Sequence, residues 1–544
     1  DVIFKTMSNE QPVSPLNKQE EQPVEGPSKA QLKKAAKLAE KEARKAEIKE
    51  KQPQVQAYQI PKLTLDQLQE AVFGDYPLHQ SQPEFKSELQ VTDFSQLTEG
   101  VHKIRAYVHS MRATGKVAFV ILRQKIHTLQ AVNFSDKSMI KYLNSIPKES
   151  YVEFIGLYKK SEQPIKSCSI ENFEFEIQKA FCITRAMAQL PLLPEDAGRP
   201  DSAFQQADCQ FVKPGRETRF DNRIIDLRTP ANQCIFKIRM VIQQNFMKFM
   251  IQQGFTQITS PKIIPGASEG GANVFSLQYF DQQACLAQSP QLYKQMAIAA
   301  GFQKVFEVGP VFRAEKSNTH RHLCEFTGLD LEMEIQQNYH EVLKVLDQLM
   351  KFIFKQTLEE CQNEIAVIRK QYDLKMPQQL VWTEETVIVD YRQGTKWLQE
   401  AGYKQSELED LSTETERALG RIVREKFGTD FYILDKFPST VRPFYTMPDV
   451  DDKRFSNSYD MFVRGEEICS GAQRIHDPEF LTQNIIDKGM DPEELKDYIQ
   501  AFRYGCAPHG GAGLGLERII MFVLGIEDAR QCCLFPRTPE RLTP

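Results

Sequence analysis

The 544-residue sequence lacks long apolar runs, and no stretch of about 18 apolar residues is present to span a membrane. It also lacks an apolar core near its N-terminus, so we do not expect a signal peptide. The eleven cysteines are scattered and form no CxxC pair, which excludes the usual spacing of a zinc site and favours a reduced, cytoplasmic protein. We expect the adjacent Cys532 and Cys533 to be packed thiols.

A strong charge of one sign is missing as well, since the net charge is only −5. This balance does not by itself indicate a nucleic-acid binder. The charge is unevenly placed, however, because residues 28–51 contain nine Lys or Arg and four Glu. The polar composition of residues 1–60 predicts a mostly disordered extension with a lysine-rich helix at 28–50. That helix is either a solvated charged helix or an arm that attracts the phosphates of a nucleic acid.

Residues 100–185 alternate apolar and polar side chains in short runs, which is the pattern of β-strands. The runs lie at 104–108, 117–122, 128–132, 152–158 and 173–177. Five short strands predict an OB-fold barrel, a common platform for unpaired bases. We place this domain at 61–185 and a hinge at 186–228, where prolines and glycines interrupt any periodicity.

The most informative stretch is VFRAEKSNTHRHLCEFTGLDLEME at 311–334. An apolar strand ends in an arginine, a polar loop follows, and an acidic strand returns. Arg313 and Glu315 are two residues apart, so we expect them to share one face of the first strand. Phe326 and Asp330 add an aromatic face and a carboxylate. A cation for phosphate, acceptors for NH groups and a flat ring together suit ATP.

A second arginine site lies in HGGAGLGLERIIMFVL at 509–524. Its small residues let the backbone approach a ligand closely, and Arg518 follows on a predicted helix among apolar residues. Two arginines that distant packed elements hold in place can clamp a polyphosphate. A lone arginine, in contrast, is more often part of a surface or structural ion pair.

These stretches resemble the motifs of the class II aminoacyl-tRNA synthetases. FRxE at 312–315 resembles motif 2, and GLGLER at 513–518 resembles motif 3. Before them, apolar residues recur at helical spacing from Ile235 to Phe249, and Gly254 is a plausible helix stop. The strand and proline of GFTQITSPKI, which contains Pro261, then resemble motif 1.

The resemblance implies an α+β fold for residues 229–544. Its expected core is a six- or seven-stranded antiparallel sheet flanked by helices, with a mainly helical insertion around 340–440. The OB-fold barrel and the basic N-terminal extension precede this catalytic domain. Pro261 and the helix before it are then expected at the interface of a two-fold homodimer.

Five further segments resemble the aspartyl-tRNA synthetases of the eukaryotic cytoplasm, in subclass IIb. They are SEGGANVF (268–275), LAQSPQLYKQ (286–295), RPFYTMPD (442–449), GEEICSGAQRIHD (465–477) and APHGGAGLGLER (507–518). This resemblance, which runs from residue 28 to the end, implies ATP-dependent, AMP-forming ligation of L-aspartate to tRNA(Asp).

For ATP, the resemblance implies that Arg313 and Arg518 are catalytic and bind the α- and γ-phosphates. Phe326 and Arg518 would enclose the adenine, and Glu315 would accept from its amino group or from the terminal adenosine of the tRNA. The expected ATP set is Arg313, Glu315, Arg321, His322, Phe326, Glu467, Gly515 and Arg518. Asp460 and Glu467 match the family's magnesium ligands, although two carboxylates seven apart are common by chance.

For aspartate, the resemblance places Arg474 and Lys294 opposite the side-chain carboxylate. Asparagine would leave both cations unpaired, and sites of this kind discriminate by a factor of about 10⁴. The expected set is Ser268, Glu269, Ser289, Gln291, Lys294, Asp330, Ser470, Arg474 and His509. Within it, Glu269, Gln291 and Asp330 are the candidate acceptors for the amino group. Gly270 and Gly271 suit a closing loop, and a structural turn is the alternative.

For tRNA, the resemblance assigns residues in the barrel, in the motif 2 loop and in the arm. Phe119 matches an aromatic that stacks on an anticodon base, although a core aromatic is the alternative. Gln130 matches a residue that bonds the central base, and Arg112 lies near the same face. Ser317 and Thr319 match loop positions that touch the acceptor end. The expected contacts of the arm are Lys29, Lys33, Lys34 and Lys37.

Three alternatives stay open at this point. One is a sister synthetase for asparagine or lysine, which the cations Lys294 and Arg474 disfavour. A second is an inactive homologue that acts as an RNA-binding or scaffold protein, which the presence of Arg313, Glu467 and Arg518 disfavours. A third is a tRNA-independent adenylate-forming ligase, for which the barrel and the basic arm would have no use. The sequence does not determine membership in a multi-synthetase complex.

Overall fold

The computed structural model describes residues 62–544 apart from 65, 79–88, 135, 207, 267–273, 318 and 374–378. The predicted contacts of the arm lie outside the described residues, namely Lys29, Lys33, Lys34 and Lys37. The predicted loop residues Ser268 and Glu269 lie outside them too.

The strands predicted between 100 and 185 close into a barrel. In chain order the elements are α1 (Gln67–Glu70), β1 (Phe73–Asp75), β2 (Gly100–Ala113), β3 (Ala118–Gln124), β4 (His127–Asn133), α2 (Lys137–Asn144), β5 (Tyr151–Lys160) and β6 (Phe173–Thr184). β2 pairs with β3 and β5, β4 pairs with β3 and β6, and the pairing of β5 with β6 closes the ring. Alternate residues such as Ala118, Val120 and Leu122 point inward and are buried. The predicted OB-like barrel is therefore confirmed.

In the described part of the predicted hinge the helices are all short, which fits its aperiodic sequence with several prolines. They are α3 (Pro194–Ala197), α4 (Arg216–Asp221) and α5 (Arg223–Asp226). Arg228, at the end of this segment, lies 3.0 Å from the carboxylate of Glu149 and 4.2 Å from the ring centre of Tyr107. These contacts attach the segment to the barrel, and residues Lys62–Pro544 form one compact unit.

The remaining elements surround one large sheet. They are α6 (Pro230–Gln252), β7 (Thr256–Gln257), β8 (Ile263–Ile264), β9 (Ser276–Tyr279), β10 (Gln282–Leu286), α7 (Gln291–Ala299), β11 (Lys304–Phe312), β12 (Glu325–Glu334), α8 (His340–Glu360), α9 (Gln362–Gln371), β13 (Val387–Asp390), α10 (Tyr391–Glu400), α11 (Thr413–Phe427), β14 (Phe431–Asp435), β15 (Ser458–Val463), β16 (Glu466–Gln473), α12 (Pro478–Asp487), α13 (Lys496–Arg503), β17 (His509–Gly515) and α14 (Leu516–Leu524). Short 3₁₀ turns lie at Phe94–Gln96, Asp201–Phe204, Ser439–Val441, Pro492–Leu495 and Ala529–Cys532.

Within the described residues the large sheet has eight strands, in the order β13-β14-β15-β16-β17-β12-β11-β7. The expected number was six or seven, so that prediction was too low. The sheet is antiparallel at its centre, but β13 pairs with β14 and β7 pairs with β11 in parallel. Parallel neighbours need a crossover connection, and helices α10 and α11 supply one between β13 and β14. A smaller sheet, β8-β10-β9, lies apart.

Helix α6 covers the sheet as the apolar spacing predicts. Ile235, Ile238, Ile242 and Phe246 are buried in the same core as the apolar face of α14. The helix ends at Gln252, and Gly254 has a φ of +79°, a left-handed conformation that glycine adopts at little cost. The predicted helix and its stop are therefore confirmed.

Apart from residues 374–378, which the structure does not describe, the predicted helical insertion around 340–440 contains four helices, α8 to α11. It also contributes the strands β13 and β14 to the large sheet, so it is not purely helical. All eleven cysteines are free thiols, and Cys532 and Cys533 are buried, as predicted. No helix in the described part of the chain is long and apolar enough to cross a bilayer.

Candidate active site

One cavity of about 310 Å³ opens between β11, β12, β16 and β17. Most of the residues predicted for ATP and aspartate line it. They are Ser289, Gln291, Lys294, Arg313, Glu315, Arg321, His322, Phe326, Asp330, Glu467, Ser470, Arg474, Gly515 and Arg518. Motifs 2 and 3 therefore converge from distant parts of the chain on one site, together with the segments around Lys294 and Arg474.

Five of the described residues predicted in the catalytic domain do not line this cavity. Asp460 lies on β15 directly opposite Ser470. His509 is buried behind the wall, and Ser317 and Thr319 are exposed in the loop between β11 and β12. Pro261 is exposed on the surface.

The position of Arg313 corrects one prediction. Strand β11 ends at Phe312, so Arg313 and Glu315 lie in the following loop instead of on one strand face. Their side chains nevertheless approach to 4.0 Å, between Nη1 and Oε1. The guanidinium of Arg313 also lies 5.5 Å from the ring centre of Phe326, close enough for a cation–π contact.

Arg518, in the first turn of α14, holds the opposite side of the cavity. Its Nη1 donates to the carbonyl of Glu467 at 3.3 Å and lies 3.6 Å from the Glu467 carboxylate. Its Nε lies 3.5 Å from the carbonyl of Arg321. Burial raises the pKa of Glu467, but Arg518, Arg321 and further arginines outweigh burial and hold it below its ordinary value. The site thus keeps an ionised carboxylate among several cations.

The loop between β11 and β12 is fixed from outside the large sheet. Arg321 forms a buried ion pair with Glu416 of α11 and donates to Thr413 Oγ1 at 3.2 Å. Arg417, also on α11, lies 2.7 Å from the carboxylate of Glu466, which lies 2.9 Å from His320. Helix α11 therefore anchors the loop that carries half of the predicted ATP residues.

On the aspartate side, the two predicted cations are each paired with a carboxylate. Lys294 Nζ lies 3.0 Å from Asp330 Oδ1 and 3.5 Å from Glu332 Oε2. Arg474 bonds both oxygens of Glu332, at 3.0 and 3.3 Å. Burial would raise the pKa of Glu332, yet Arg474 and Lys294 keep it below its ordinary value. The expected cationic pocket is thus a buried quartet of two cations and two anions.

Glycines of β17 make room for this quartet. A Cβ atom at Gly511 would lie 2.1 Å from Glu332 Oε2 and 2.3 Å from the backbone oxygen of Leu331, so these groups would have to shift. At Gly513 a Cβ would lie 3.1 Å from Asp330 Oδ1. The sequence led us to expect close approach of a ligand here, and in the structure the acidic side chains of β12 also occupy that space.

The predicted magnesium ligands Asp460 and Glu467 lie near enough to affect each other electrostatically, and Arg442 contacts Asp460. Arg442 Nη2 lies 2.9 Å from Asp460 Oδ1, and its Nη1 donates to Ser470 Oγ at 2.9 Å. Burial, and then the negative charge of Glu467, raise the pKa of Asp460. No group of three metal-ligating side chains occurs among the described residues. Two carboxylates and a hydroxyl do fit Mg²⁺, which commonly takes its other ligands from phosphates and water.

On the barrel, the predicted RNA contacts share one outer face. Phe119 is directly opposite Arg112, and Gln130 is opposite Ile121, two residues along β3 from Phe119. Phe119 is half-buried, whereas its neighbours Ala118 and Val120 point into the core. An aromatic, an amide and a cation therefore lie together on a surface suited to stacking and base readout.

Comparison with known proteins adds a decisive observation. Residues 215–539 match the family model of the class II tRNA synthetases (D, K and N). The cytoplasmic aspartate–tRNA ligase of Homo sapiens is 48% identical over 445 residues, which cover 81% of this chain and 88% of that protein. The chain belongs to the cytoplasmic aspartate–tRNA ligases.

Solved structures agree with the sequence comparison. The aspartyl tRNA synthetase from Entamoeba histolytica matches with a TM-score of 0.80 at 42% identity, over 91% of this chain and all of that one. An asparaginyl-tRNA synthetase from Pyrococcus horikoshii matches with a TM-score of 0.73 at 28% identity, over 84% of this chain and 100% of that one. The fold is shared with the asparagine enzymes, so specificity depends on individual side chains. Relatives named cytoplasmic agree with the predicted location.

Sequence reasoning missed several residues of the site. Glu332 had a usable signal, because it lies two residues after Asp330 on one strand and so shares its face. Arg442 lies in an irregular segment, where no periodicity indicates the direction of a side chain. Glu416 meets Arg321 only in the folded chain, because the two are separated by 95 positions in the sequence. The sequence alone gives no signal for such a contact.

Proposed function

We propose that this cavity carries out the aspartate–tRNA ligase reaction, in which L-aspartate is activated with ATP and then transferred to tRNA(Asp). One observation carries this assignment. A buried pair of cations, Arg474 and Lys294, lies in the same cavity as the two arginines, Arg313 and Arg518, that the class II motifs provide.

In the activation step, an oxygen of the α-carboxylate of aspartate attacks the α-phosphorus of ATP, and pyrophosphate leaves. Negative charge spreads over the phosphoryl oxygens, so fixed cations lower the barrier. Arg313 is assigned to the α-phosphate and Arg518 to the γ-phosphate. Phe326 is assigned to the adenine ring, with Glu315 as the acceptor for an amino group. Because Arg313 already lies over Phe326, it has to move aside or share that ring face when adenine enters.

For aspartate, the proposed pose directs the side-chain carboxylate to Arg474 and Lys294, and the ammonium to Asp330 and Gln291. Glu332 holds Arg474 in place, so the guanidinium meets a substrate carboxylate without further ordering. An asparagine amide would bring NH groups against these donors. Buried polar groups left unpaired in this way account for discrimination of about 10⁴ in comparable sites.

Asp460 and Glu467 are the residues that would hold Mg²⁺, with Ser470 beside them. When bound, the ion neutralises charge on the phosphates of ATP. Glu467 is ionised in the cavity, which suits a metal ligand. Arg442 lies against Asp460 and keeps that carboxylate compensated.

For transfer, the terminal ribose 3′-hydroxyl of tRNA attacks the carbonyl carbon of the aspartyl adenylate; the ester forms, the acyl–phosphate bond breaks, and AMP and the hydroxyl proton leave. The exposed loop residues Ser317 and Thr319 are assigned to the acceptor end. The barrel face around Phe119, Gln130 and Arg112 is assigned to the anticodon, and the lysines at 29–37 to non-specific phosphate contacts.

We also propose a homodimer built around α6 and Pro261. Large apolar side chains near this region are exposed, including Met240, Ile251 and Ile263. Exposed apolar side chains on neighbouring elements favour a protein interface. A two-fold axis would cover the same side chains on both copies.

ATP–pyrophosphate exchange with aspartate, asparagine and lysine in parallel tests the proposed function. Exchange with aspartate alone is the expected result. Exchange with another amino acid would leave the assignment of the fold intact and change the assigned substrate. A folded protein that binds tRNA but exchanges with none of the three would be an inactive homologue.

A further inference from the structure

Behind the aspartate wall, Arg474 is the first member of a chain of hydrogen bonds that continues inward. Arg474 Nη2 donates to Gln291 Oε1 at 3.3 Å, and Gln291 Nε2 donates to Gln295 Oε1 at 2.8 Å. Gln295 Nε2 lies 3.1 Å from His509 Nε2. His509 Nδ1 lies 2.8 Å from the carbonyl oxygen of Ala507. Each of these side chains is buried.

The backbone carbonyl at the end of the chain determines the direction of every bond in it. A carbonyl only accepts, so His509 carries its proton on Nδ1. Burial lowers the pKa of His509, so the ring is neutral and its Nε2 is an acceptor. Gln295 must therefore turn its NH₂ group to His509 and its oxygen to Gln291. Gln291 therefore turns its NH₂ group to Gln295 and its oxygen toward Arg474 and the cavity, and that oxygen keeps one lone pair after it accepts from Arg474.

Tyr498 of α13 reinforces the same direction. Its hydroxyl donates to Gln295 Oε1 at 3.0 Å, so this oxygen accepts from two donors, Tyr498 and Gln291. Both bonds favour the same orientation of the Gln295 amide over the flipped one. The three residues Gln291, Lys294 and Gln295 lie on one face of α7, because residues three and four apart share a helix face. One helix thus connects the cavity wall to the network behind it.

We propose that this chain fixes the polarity of the wall that receives the amino acid, and that Gln295, Tyr498 and His509 are positioning residues for Gln291. The proposal rests on the proposed function of the cavity. It deepens that function, because Gln291 is held as an acceptor for the substrate ammonium. A ligand that offers an acceptor at this position meets the oxygen of Gln291 and is disfavoured.

The test is the replacement Gln295→Met, which keeps the length of the side chain and removes both of its polar groups. Gln291 then loses the partner of its NH₂ group. We expect the KM and the equilibrium Kd for L-aspartate to rise about tenfold, the scale of one buried hydrogen bond. The KM for ATP should stay within about twofold, since the ATP side of the cavity is untouched.

Tyr498→Phe is a second, milder variant that keeps the ring. It removes one of the two donors to Gln295, so the expected rise in the aspartate KM is smaller, about two- to threefold. Gln405→Met is the matched control. Gln405 is also buried and donates to three backbone carbonyls, but it does not line the cavity. It should lose thermal stability without a change in either KM.

Outcomes that overturn the proposal are distinct from those that overturn the function. If the aspartate Kd of Gln295→Met lies within twofold of the wild-type value, the proposal is wrong and the chain of hydrogen bonds contributes only to packing. Equal rises in the KM values for aspartate and ATP would also contradict it. Calorimetric titration with L-aspartate gives the Kd without turnover. If the wild-type protein binds aspartate but does not catalyse exchange, the proposed function is contradicted. The aspartate Kd of Gln295→Met would still test the role of Gln295.

Discussion

At the scale of single residues, the site depends on charges that packed elements hold in place before any substrate arrives. Arg518 is bonded to two backbone carbonyls, and Arg474 to both oxygens of Glu332. Groups oriented in advance need not reorganise when charge develops on a phosphate. Arg518 is only partly buried and lies in the cavity, so we expect its loss to affect catalysis more than folding.

Arg518→Ala is expected to reduce pyrophosphate exchange by a factor of about 10² to 10³, the usual effect of removing one oriented donor. The thermal midpoint should change little, because the guanidinium lies in the cavity and not in the apolar core. Arg464→Ala is the matched control. Arg464 also bonds to α14, since it donates to the carbonyl of Phe522 at 3.0 Å, but it does not line the cavity. Near-normal exchange in Arg518→Ala would contradict the assignment.

The residue scale also shows how far sequence reasoning reaches. The structure places Arg313 and Arg518 in the cavity, and the sequence indicated both because each lies in a motif with several fixed neighbours. Lys294 and Arg474 also line the cavity as the sequence indicated, but their partner Glu332 was not predicted, so the expected pocket was more positive than the observed one. Residue types identify the chemistry of a site, whereas its charge balance depends on which side chains meet across strands.

At the scale of elements, helix α11 and the loop after β11 behave as one unit through the Arg321–Glu416 pair. A buried ion pair is costly to break from one side, typically by about 3–5 kcal/mol. The alternation of barrel strands and the spacing of α6 were predictable, because each is a local pattern. The attachment of α11 to this loop was not, because no local pattern records a contact between distant elements.

Glu416 makes stability depend on pH. Burial raises the pKa of Glu416 to about 7, above its ordinary value of 4.5. A group whose pKa is raised by folding contributes stability below its unfolded pKa and loses that contribution as pH rises through its folded pKa. The unfolding free energy of wild type relative to Glu416→Gln should therefore fall between pH 4.5 and 7.

Denaturant titrations of both proteins at four pH values across this window measure the difference. Glu414→Gln is the control, because Glu414 is exposed on the same helix. Its profile should run parallel to that of wild type. Parallel profiles for Glu416→Gln as well would show that Glu416 does not titrate in this range.

The barrel face gives a second prediction at this scale. Phe119→Ala should weaken tRNA(Asp) binding by about 1–3 kcal/mol, the usual contribution of one stacked base. Pyrophosphate exchange should stay unchanged, since the cavity lies in another part of the fold. Phe134→Ala, which removes a 52% exposed aromatic just beyond β4, should leave the tRNA Kd near that of wild type. Equal tRNA Kd values for wild type and Phe119→Ala would show that Phe119 does not stack on a base and serves only in packing.

At the scale of the whole molecule, association of two copies is the main expectation still to be measured. Sedimentation at micromolar concentration should show a dimer. Ile263→Glu places a charge on a half-exposed apolar position near Pro261, and it should raise the dimer Kd by a factor of at least about 10². Val381→Glu is the matched control at an exposed apolar position elsewhere. A wild-type monomer would contradict the proposed interface.

The two outer strands of the large sheet have a consequence for the solubility of the protein at high concentration. β7 has two residues and β13 has four, and each pairs in parallel with its inner neighbour. A short edge offers a foreign strand few backbone groups, so edge-to-edge growth into larger aggregates gains little. Changes that lengthen either edge should therefore promote aggregation before they affect aminoacylation.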